Sequence, residues 1–257
     1  KPVAHWRPFV EVGKTKQATI DAAYRALSIF FRQLVEQNHL TKSPMNLVRQ
    51  RERKAEPTGR PEKETAPRYT DWQWEFIRST LESAANSNPY WERHLFTVIT
   101  MKVLYLRVFE LAPRKNDFNG AISTPSMGDF ERRTVHGKKY WTLYVFGKAG
   151  KERWIPLPQA YLLYLTRYRE HRALPPYPSA GETSAMISRK NSPKSLGKAS
   201  IENLAQEALR MVARQMSAQG HKAEAADLHQ NAGRTHLLRH TGASMDIENG
   251  RPIRHVS

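Results

Sequence analysis

The stretch "RTHLLRHTGAS", residues 234–244, places two imidazoles and a guanidinium within a few positions of one another. His236 and Arg239 stand three residues apart, so they share one face of a helix that we predict to begin at Thr235. A phosphate beside that helix start would meet free backbone N–H groups and a favourable dipole, and an imidazole exchanges protons near neutral pH. Phosphate chemistry is one interpretation of these residues, and a satisfied polar network is an equal alternative.

Two further basic residues occupy places that call for an explanation. Arg107 follows the apolar run 95–106, where a guanidinium is costly unless it meets an anion. Pairing with nearby Glu110 is the more common reason for such an arginine. Lys148 lies in the predicted turn "GKAGK" between two strands and would project outward from a rigid sheet, although solvated turn lysines are ordinary.

A zinc site is a competing interpretation of the same histidines. His236 and His240 have the i, i+4 spacing of zinc-binding residues, with Asp227 and His229 nearby. The glutamate of the H-E-x-x-H motif is absent, because position 237 is leucine. We therefore regard a zinc hydrolase as disfavoured.

The composition favours a polyanionic partner. The 257 residues include 41 Lys and Arg against 24 Asp and Glu, which gives a formal net charge of +17. An anionic membrane surface would also attract such a chain, but no apolar run reaches transmembrane length and no signal-peptide pattern is present. We therefore expect nucleic acid and no membrane. The absence of cysteine excludes disulfides and thiolate metal sites and fits a reducing cytoplasm.

The elements that must position these residues fall into two groups. Apolar residues at three- and four-residue steps predict a helix over about 17–38 with one buried face, and Pro44 opens a second short helical piece. The segment 51–68 is rich in charge and proline and lacks large apolar residues, so we interpret it as a basic linker. The predicted domains are a small helical domain over 1–50 and a larger domain over 69–257. The helical face consists of Ile20, Tyr24, Leu27, Phe31 and Leu34.

The second group begins with two capped helices. Thr70 followed by Gln73 resembles a capping box, and Asn88 with Pro89 predicts the start of the next helix. The middle of that helix is almost wholly apolar, so it should be central to the core. The stretch "KKYWTLYVFGKAGKERWIPLP" alternates as a β-hairpin, and two further helices are predicted around 159–171 and 200–219. The predicted fold is mainly α with a small antiparallel β-sheet, an α+β class.

Three stretches in this order resemble the tyrosine recombinases, also called phage-type integrases. They are "LYLRVFEL" for the first arginine box, "VFGKAGKERWIPL" for the hairpin lysine and "THLLRHTGAS" for the H-x-x-R-H box. The amino-terminal "TIDAAYRALSIFFRQLVEQNHLTKSPMNLV" resembles the small helical domain with which these enzymes grip their core site. The resemblance covers most of the chain. It implies that residues 1–50 are a helical core-site DNA-binding domain and that residues 69–257 are a larger catalytic domain.

This resemblance implies a reaction and assigns roles. A tyrosine attacks a phosphodiester, forming a 3′-phosphotyrosyl link and freeing a 5′-hydroxyl that later attacks a partner strand. By their matches, Arg107 and Arg239 would hold the phosphoryl oxygens. Lys148 would be the general acid for the leaving 5′ oxygen, and His236 would occupy the general acid/base position.

Two more residues receive supporting roles in this scheme. His240 and Glu110 would lie behind the reacting groups, orienting the helix and Arg107 respectively. No metal is required, because the arginines replace it, and we expect no other cofactor.

The sequence departs from the family pattern at its carboxyl end. The family has one more His or Trp after the second arginine, and then the tyrosine nucleophile. All ten tyrosines of this chain precede His236, and the chain stops at Ser257 and begins without Met. We therefore expect a fragment that binds DNA without cleaving it, from a natural protein that is a recombinase.

Two other functions use similar residues. One is a non-catalytic DNA-binding clamp or regulator on the same fold, and the other is a type IB topoisomerase-like enzyme. The small size and the helical amino-terminal domain favour a recombinase of a mobile element or resolution system. The implied partner is double-stranded DNA at an attachment or core site, bound by a homotetramer on two sites when full length. The expected location is the bacterial cytoplasm, in association with the nucleoid.

Overall fold

The computed structural model describes residues 17–47, 68–115, 120, 122–135, 137–147, 150–190 and 192–251. The chain divides into two compact units, residues 1–63 and 64–257, and each is described by itself. Of the predicted linker, only Arg68 falls within the described residues, so the domain boundaries given above stay predictions. None of the helices in these ranges is long and apolar enough to cross a lipid bilayer.

In the first unit the predicted helix is confirmed. Helix α1 spans Gln17–Glu36. Asn38 adopts a left-handed backbone with φ of 60° just beyond it, which ends the helix two residues before the predicted end. The predicted short piece is a 3-10 turn over Pro44–Leu47.

The prediction that α1 has a buried face is wrong for the described residues. Ile20 and Leu27 are each 48% exposed, and Tyr24 is only partly buried. The 3-10 turn packs on α1, but among residues 19–47 only Met45 is buried. One short turn covers too little of a five-turn stripe to remove it from water.

The second unit is mainly helical with small antiparallel sheets, which confirms the predicted fold class. The two late helices predicted around 159–171 and 200–219 are present within two residues of the predicted bounds. A further short helix over 222–231 was not predicted. The helices are α2 (Asp71–Ser87), α3 (Glu92–Val103), α4 (Gln159–His171), α5 (Lys198–Ala218), α6 (Lys222–Asn231) and α7 (His236–Glu248).

Two small sheets follow α3 in the chain. A two-stranded pair joins the first two strands, and a three-stranded antiparallel sheet has the order β3-β4-β5. The β4–β5 pair confirms the predicted hairpin, while β3 was not foreseen. The strands are β1 (Arg114–Lys115), β2 (Ile122–Ser123), β3 (Phe130–Val135), β4 (Lys138–Phe146) and β5 (Glu152–Pro156).

Capping residues fix where the first helices of this unit begin. The Thr70 hydroxyl accepts from the backbone N–H of Gln73 at 3.1 Å, and the Gln73 side chain accepts from the Thr70 N–H at 2.9 Å. Asn88 accepts from the N–H of Tyr90 at 2.9 Å and opens a 3-10 turn with Pro89 in its first position. That turn leads directly into α3, so both predicted helix starts are confirmed.

Helix α3 is the centre of the core, as its apolar sequence predicts. Every residue from His94 to Met101 is buried. The helix packs against α2, α4, α5 and α7, so its surroundings are apolar on nearly every side. An element enclosed in this way provides a rigid base for the residues that follow it, which include Arg107.

Candidate functional site

Arg107 and Glu110 lie at the two ends of one 3-10 turn. Glu110 is buried and accepts from the Arg107 backbone N–H at 2.8 Å, while the Arg107 guanidinium lies 3.6 Å from the other carboxylate oxygen. The Arg107 side chain keeps 38% of its surface exposed. The carboxylate thus binds the backbone of Arg107 more closely than its side chain, which leaves the guanidinium accessible.

Arg153 is the residue of this site that sequence reasoning missed. Its guanidinium makes a two-point contact with Glu110, with nitrogen–oxygen distances of 2.8 and 3.1 Å. Burial raises the pKa of the Glu110 carboxyl, but the hydrogen bonds from Arg153 and from the Arg107 backbone outweigh burial and bring the pKa below its ordinary value. A signal was present in the sequence, because alternation along β5 places Arg153 on the same inward face as Ile155.

Arg239 joins these residues from the far end of the chain. It lies on α7, is half-buried, and donates through Nη1 to the backbone carbonyl of Tyr105. Burial lowers the pKa of its guanidinium, as do the positive charges of Arg107 and Arg153, while Glu110 opposes them. The structure therefore brings together the two arginines singled out in the sequence. We call Arg107, Arg153 and Arg239, with Glu110 among them, the arginine cluster.

The close approach of α7 to α3 depends on Gly242. A Cβ on this glycine would lie 2.0 Å from the backbone oxygen of Lys102, nearer than any real Cβ contact. The neighbouring Thr241 is fully buried and its hydroxyl accepts from the Tyr69 backbone N–H at 2.9 Å. Thr241 and Gly242 therefore hold α7 against the core, about one helical turn after Arg239.

The two predicted histidines have exposed side chains. His236 is the first residue of α7 and follows Thr235, as predicted. Neither His236 nor His240 hydrogen-bonds through its ring to any described residue. Two N–H groups of the first turn, those of Leu237 and Leu238, already donate to backbone carbonyls. This helix start therefore offers a phosphate fewer free backbone N–H donors than we predicted. The roles of both histidines stay predictions.

Lys148 lies outside the described residues, but the base of its hairpin is well defined. The Gly147 N–H donates to the Lys151 carbonyl at 2.5 Å, and Arg114 donates to the Gly147 carbonyl. A Cβ on Gly147 would lie 3.2 Å from Arg153 Nη1 and 3.6 Å from a Glu110 oxygen. The hairpin therefore begins its turn beside the arginine cluster.

The metal-site interpretation finds no donor set in the described part of the chain. No three His, Asp or Glu side chains come together there in a way that could hold a metal ion. Asp227, one of the candidate ligands, accepts hydrogen bonds from Gln73 at 3.3 Å and from Asn231 at 2.8 Å.

Comparisons with known proteins give structural neighbours only. No protein-family model matches the sequence, and no curated protein matches it. The pre-cleavage complex of the XerH site-specific recombinase with its difH substrate has a TM-score of 0.48 and 16% identity, over 74% of this chain and 45% of that one. The XerH post-cleavage complex with palindromic difH has the same score and identity, over 75% and 45%. An integrase from mycobacterium phage Brujita has a TM-score of 0.39 and 18% identity, over 96% and 64%.

These structural neighbours are recombinases and an integrase. The chain spans less than two thirds of the length of each of them.

Proposed function

We propose that this protein is a site-specific DNA recombinase whose arginine cluster binds the phosphodiester that is cut. One observation carries the proposal: Arg107 and Arg153 share the single carboxylate of Glu110, and half-buried Arg239 lies close enough for the charges of all three to act on it, so the group keeps an excess of positive charge. Like charges at short range are unfavourable unless an anion joins them. A phosphate diester between Arg107 and Arg239 supplies that anion and accepts forked hydrogen bonds from both.

The chemistry follows from this placement. A tyrosine oxygen forms a bond to phosphorus while the bond from phosphorus to the 5′ oxygen breaks, and the leaving oxygen takes the electron pair. Negative charge on the two non-bridging oxygens is stabilised by Arg107 and Arg239. Lys148 delivers a proton to the 5′ oxygen, and His236 accepts the proton of the attacking tyrosine. Glu110 holds the backbone of Arg107 in place, and the scheme uses no cofactor.

The proposed partner is duplex DNA, bound mainly through its phosphates. In the first unit an open groove beside α1 is lined by Arg25, Arg32 and Lys42 together with Tyr24. Basic side chains of this kind suit a phosphate backbone, so binding falls steeply as salt rises. Recombination cuts two strands on each of two duplexes, which requires a tetramer on two sites. The proposed setting is the cytoplasm of a bacterium.

The deciding experiment looks for protein joined covalently to DNA. The test uses the product of the complete gene. It is incubated with DNA carrying its own attachment region and run on a denaturing gel. Arg239→Ala abolishes the covalent band while site binding stays nearly intact. Arg172→Ala is the matched control, since Arg172 donates to a backbone carbonyl at 2.6 Å in a different loop.

Each outcome selects one function. A covalent band that survives Arg239→Ala contradicts the proposed site. No band, combined with tight and salt-sensitive binding, indicates a non-catalytic DNA clamp. A band accompanied by relaxation of supercoils without strand exchange indicates a topoisomerase.

A further inference from the structure

Tyr105 has an unusual backbone two residues before Arg107. Its φ is 50°, in the left-handed region that residues with a Cβ rarely adopt. The residue is nevertheless only 6% exposed, so it is packed in the unit and does not lie on a free turn. A strained and buried tyrosine persists only where its surroundings hold it in place.

The contacts of the ring and hydroxyl supply that restraint. The hydroxyl donates to Asp246 and accepts from Arg251 Nη1 at 2.8 Å, and Arg251 in turn pairs with Asp246 at 2.6 Å. Burial, followed by the Asp246 carboxylate, raises the pKa of the Tyr105 hydroxyl, so it remains a donor. A Cβ on Gly242 would lie 3.0 Å from the ring, so the ring is in close contact with α7.

The backbone of the same residue contacts Arg239. The Tyr105 carbonyl accepts a hydrogen bond from Arg239 Nη1. Arg107 and Arg153 repel this half-buried guanidinium while Glu110 attracts it, so the carbonyl is a fixed acceptor that holds Nη1 among these opposing charges. The carbonyl occupies one nitrogen of the fork and leaves the others for a ligand.

We propose that Tyr105 is a positioning residue for Arg239. Its left-handed backbone directs the carbonyl at the guanidinium, and its hydroxyl contacts with Asp246 and Arg251 keep the backbone in that conformation. In the proposed reaction, which this inference rests on, Tyr105 fixes the angle at which Arg239 meets the phosphate.

The test compares two tyrosines with the same hydroxyl chemistry. Tyr105→Phe keeps the ring and removes only the hydroxyl. Tyr164→Phe is the matched control, because Tyr164 also donates to a carboxylate, Glu82, that pairs with an arginine, Arg78, at 2.7 Å. The rate of covalent-complex formation is measured with the complete gene product at saturating DNA. Tyr105→Phe lowers that rate by about tenfold to a hundredfold, the range expected when a binding group is displaced by about 1 Å. Tyr164→Phe leaves it unchanged.

A second background separates positioning from loss of stability. In Arg239→Lys the ammonium lacks the rigid fork, so it cannot hold the carbonyl and a phosphate at fixed angles together. Tyr105→Phe therefore has no further effect on the rate in that background, although it still lowers the denaturant midpoint. An equal loss of rate in both backgrounds, or no loss in either, overturns the inference.

The accessibility of Arg239 is also measured directly on the 257-residue chain. Phenylglyoxal modifies accessible guanidiniums, and mass spectrometry gives the rate at each arginine. Arg239 reacts severalfold faster in Tyr105→Phe than in the parent chain or in Tyr164→Phe. An unchanged rate at Arg239 shows that Tyr105 does not position it. If Arg239→Ala leaves covalent-complex formation intact, the proposed function fails, and the modification rate still decides the role of Tyr105.

Discussion

Replacing Gly242 by alanine tests the idea that contact between α7 and α3 sets the site. The added Cβ would lie 2.0 Å from the Lys102 backbone oxygen and 3.0 Å from the Tyr105 ring. Relieving this clash requires α7 to move away from Lys102 by about 1 Å. Overpacking of this kind destabilises a protein by up to about 3 kcal/mol. Alanine also gains about 1 kcal/mol over glycine within a helix. The expected net loss in the free energy of unfolding is therefore about 2 kcal/mol.

The assay is urea unfolding of the chain, followed by tryptophan fluorescence. Five of the six tryptophans lie in residues 64–257, so the signal reports mainly on the second unit. Gly233→Ala is the matched control, because a Cβ there would meet nothing within 4 Å. The control should leave the unfolding midpoint nearly unchanged. A Gly242→Ala variant as stable as its parent, or more stable, would refute the reasoning, since an unhindered helical glycine gains stability on this change.

Three further predictions concern the charged groups. Glu182→Gln breaks the pair with Arg169, which is 1% exposed and lies 2.9 Å from the carboxylate, so the free energy of unfolding should fall by about 3 kcal/mol in urea titration. The pKa of Glu110 is below its ordinary value of 4.5. The ionised carboxylate therefore stabilises the folded state fully above that pH, and this stabilisation is lost as pH falls through the folded-state pKa. Glu110→Gln should therefore flatten the acid side of the stability profile measured from neutral pH downward, and an unaltered profile would contradict the Arg153–Glu110 pairing. Arg107→Ala should reduce the slope of log affinity for duplex DNA against log salt by about 1, and an identical slope would mean that Arg107 contacts no phosphate.

Local features of this protein were predictable from the sequence. The Thr70 capping box, the Asn88 helix start and the β4–β5 hairpin each depend on residues within a few positions of one another. Their hydrogen bonds form whenever the backbone adopts the element, so residue type and spacing are sufficient to locate them. The same is true of the buried α3, whose apolar run admits no exposed face.

The exposed side of α1 shows where such patterns are insufficient. Its apolar spacing defines a face correctly, but burial of that face depends on which element packs there. The described 3-10 turn covers too little of it, so Ile20 and Leu27 remain half-exposed. Periodicity specifies the direction of a side chain and not what lies opposite it.

The composition of the arginine cluster was decided only by the tertiary structure. The sequence by itself marked Arg107 and Arg239 as costly at their positions, because a guanidinium in an apolar frame needs a partner. The sequence could not show that Glu110 pairs with Arg153, 43 residues away. It also could not show that Arg239 donates to the carbonyl of Tyr105, 134 residues away. Each contact forms because α3, α7 and the hairpin pack on one core. Hydrogen bonds act only over short distances, so two residues far apart in the sequence pair only where packing brings them together.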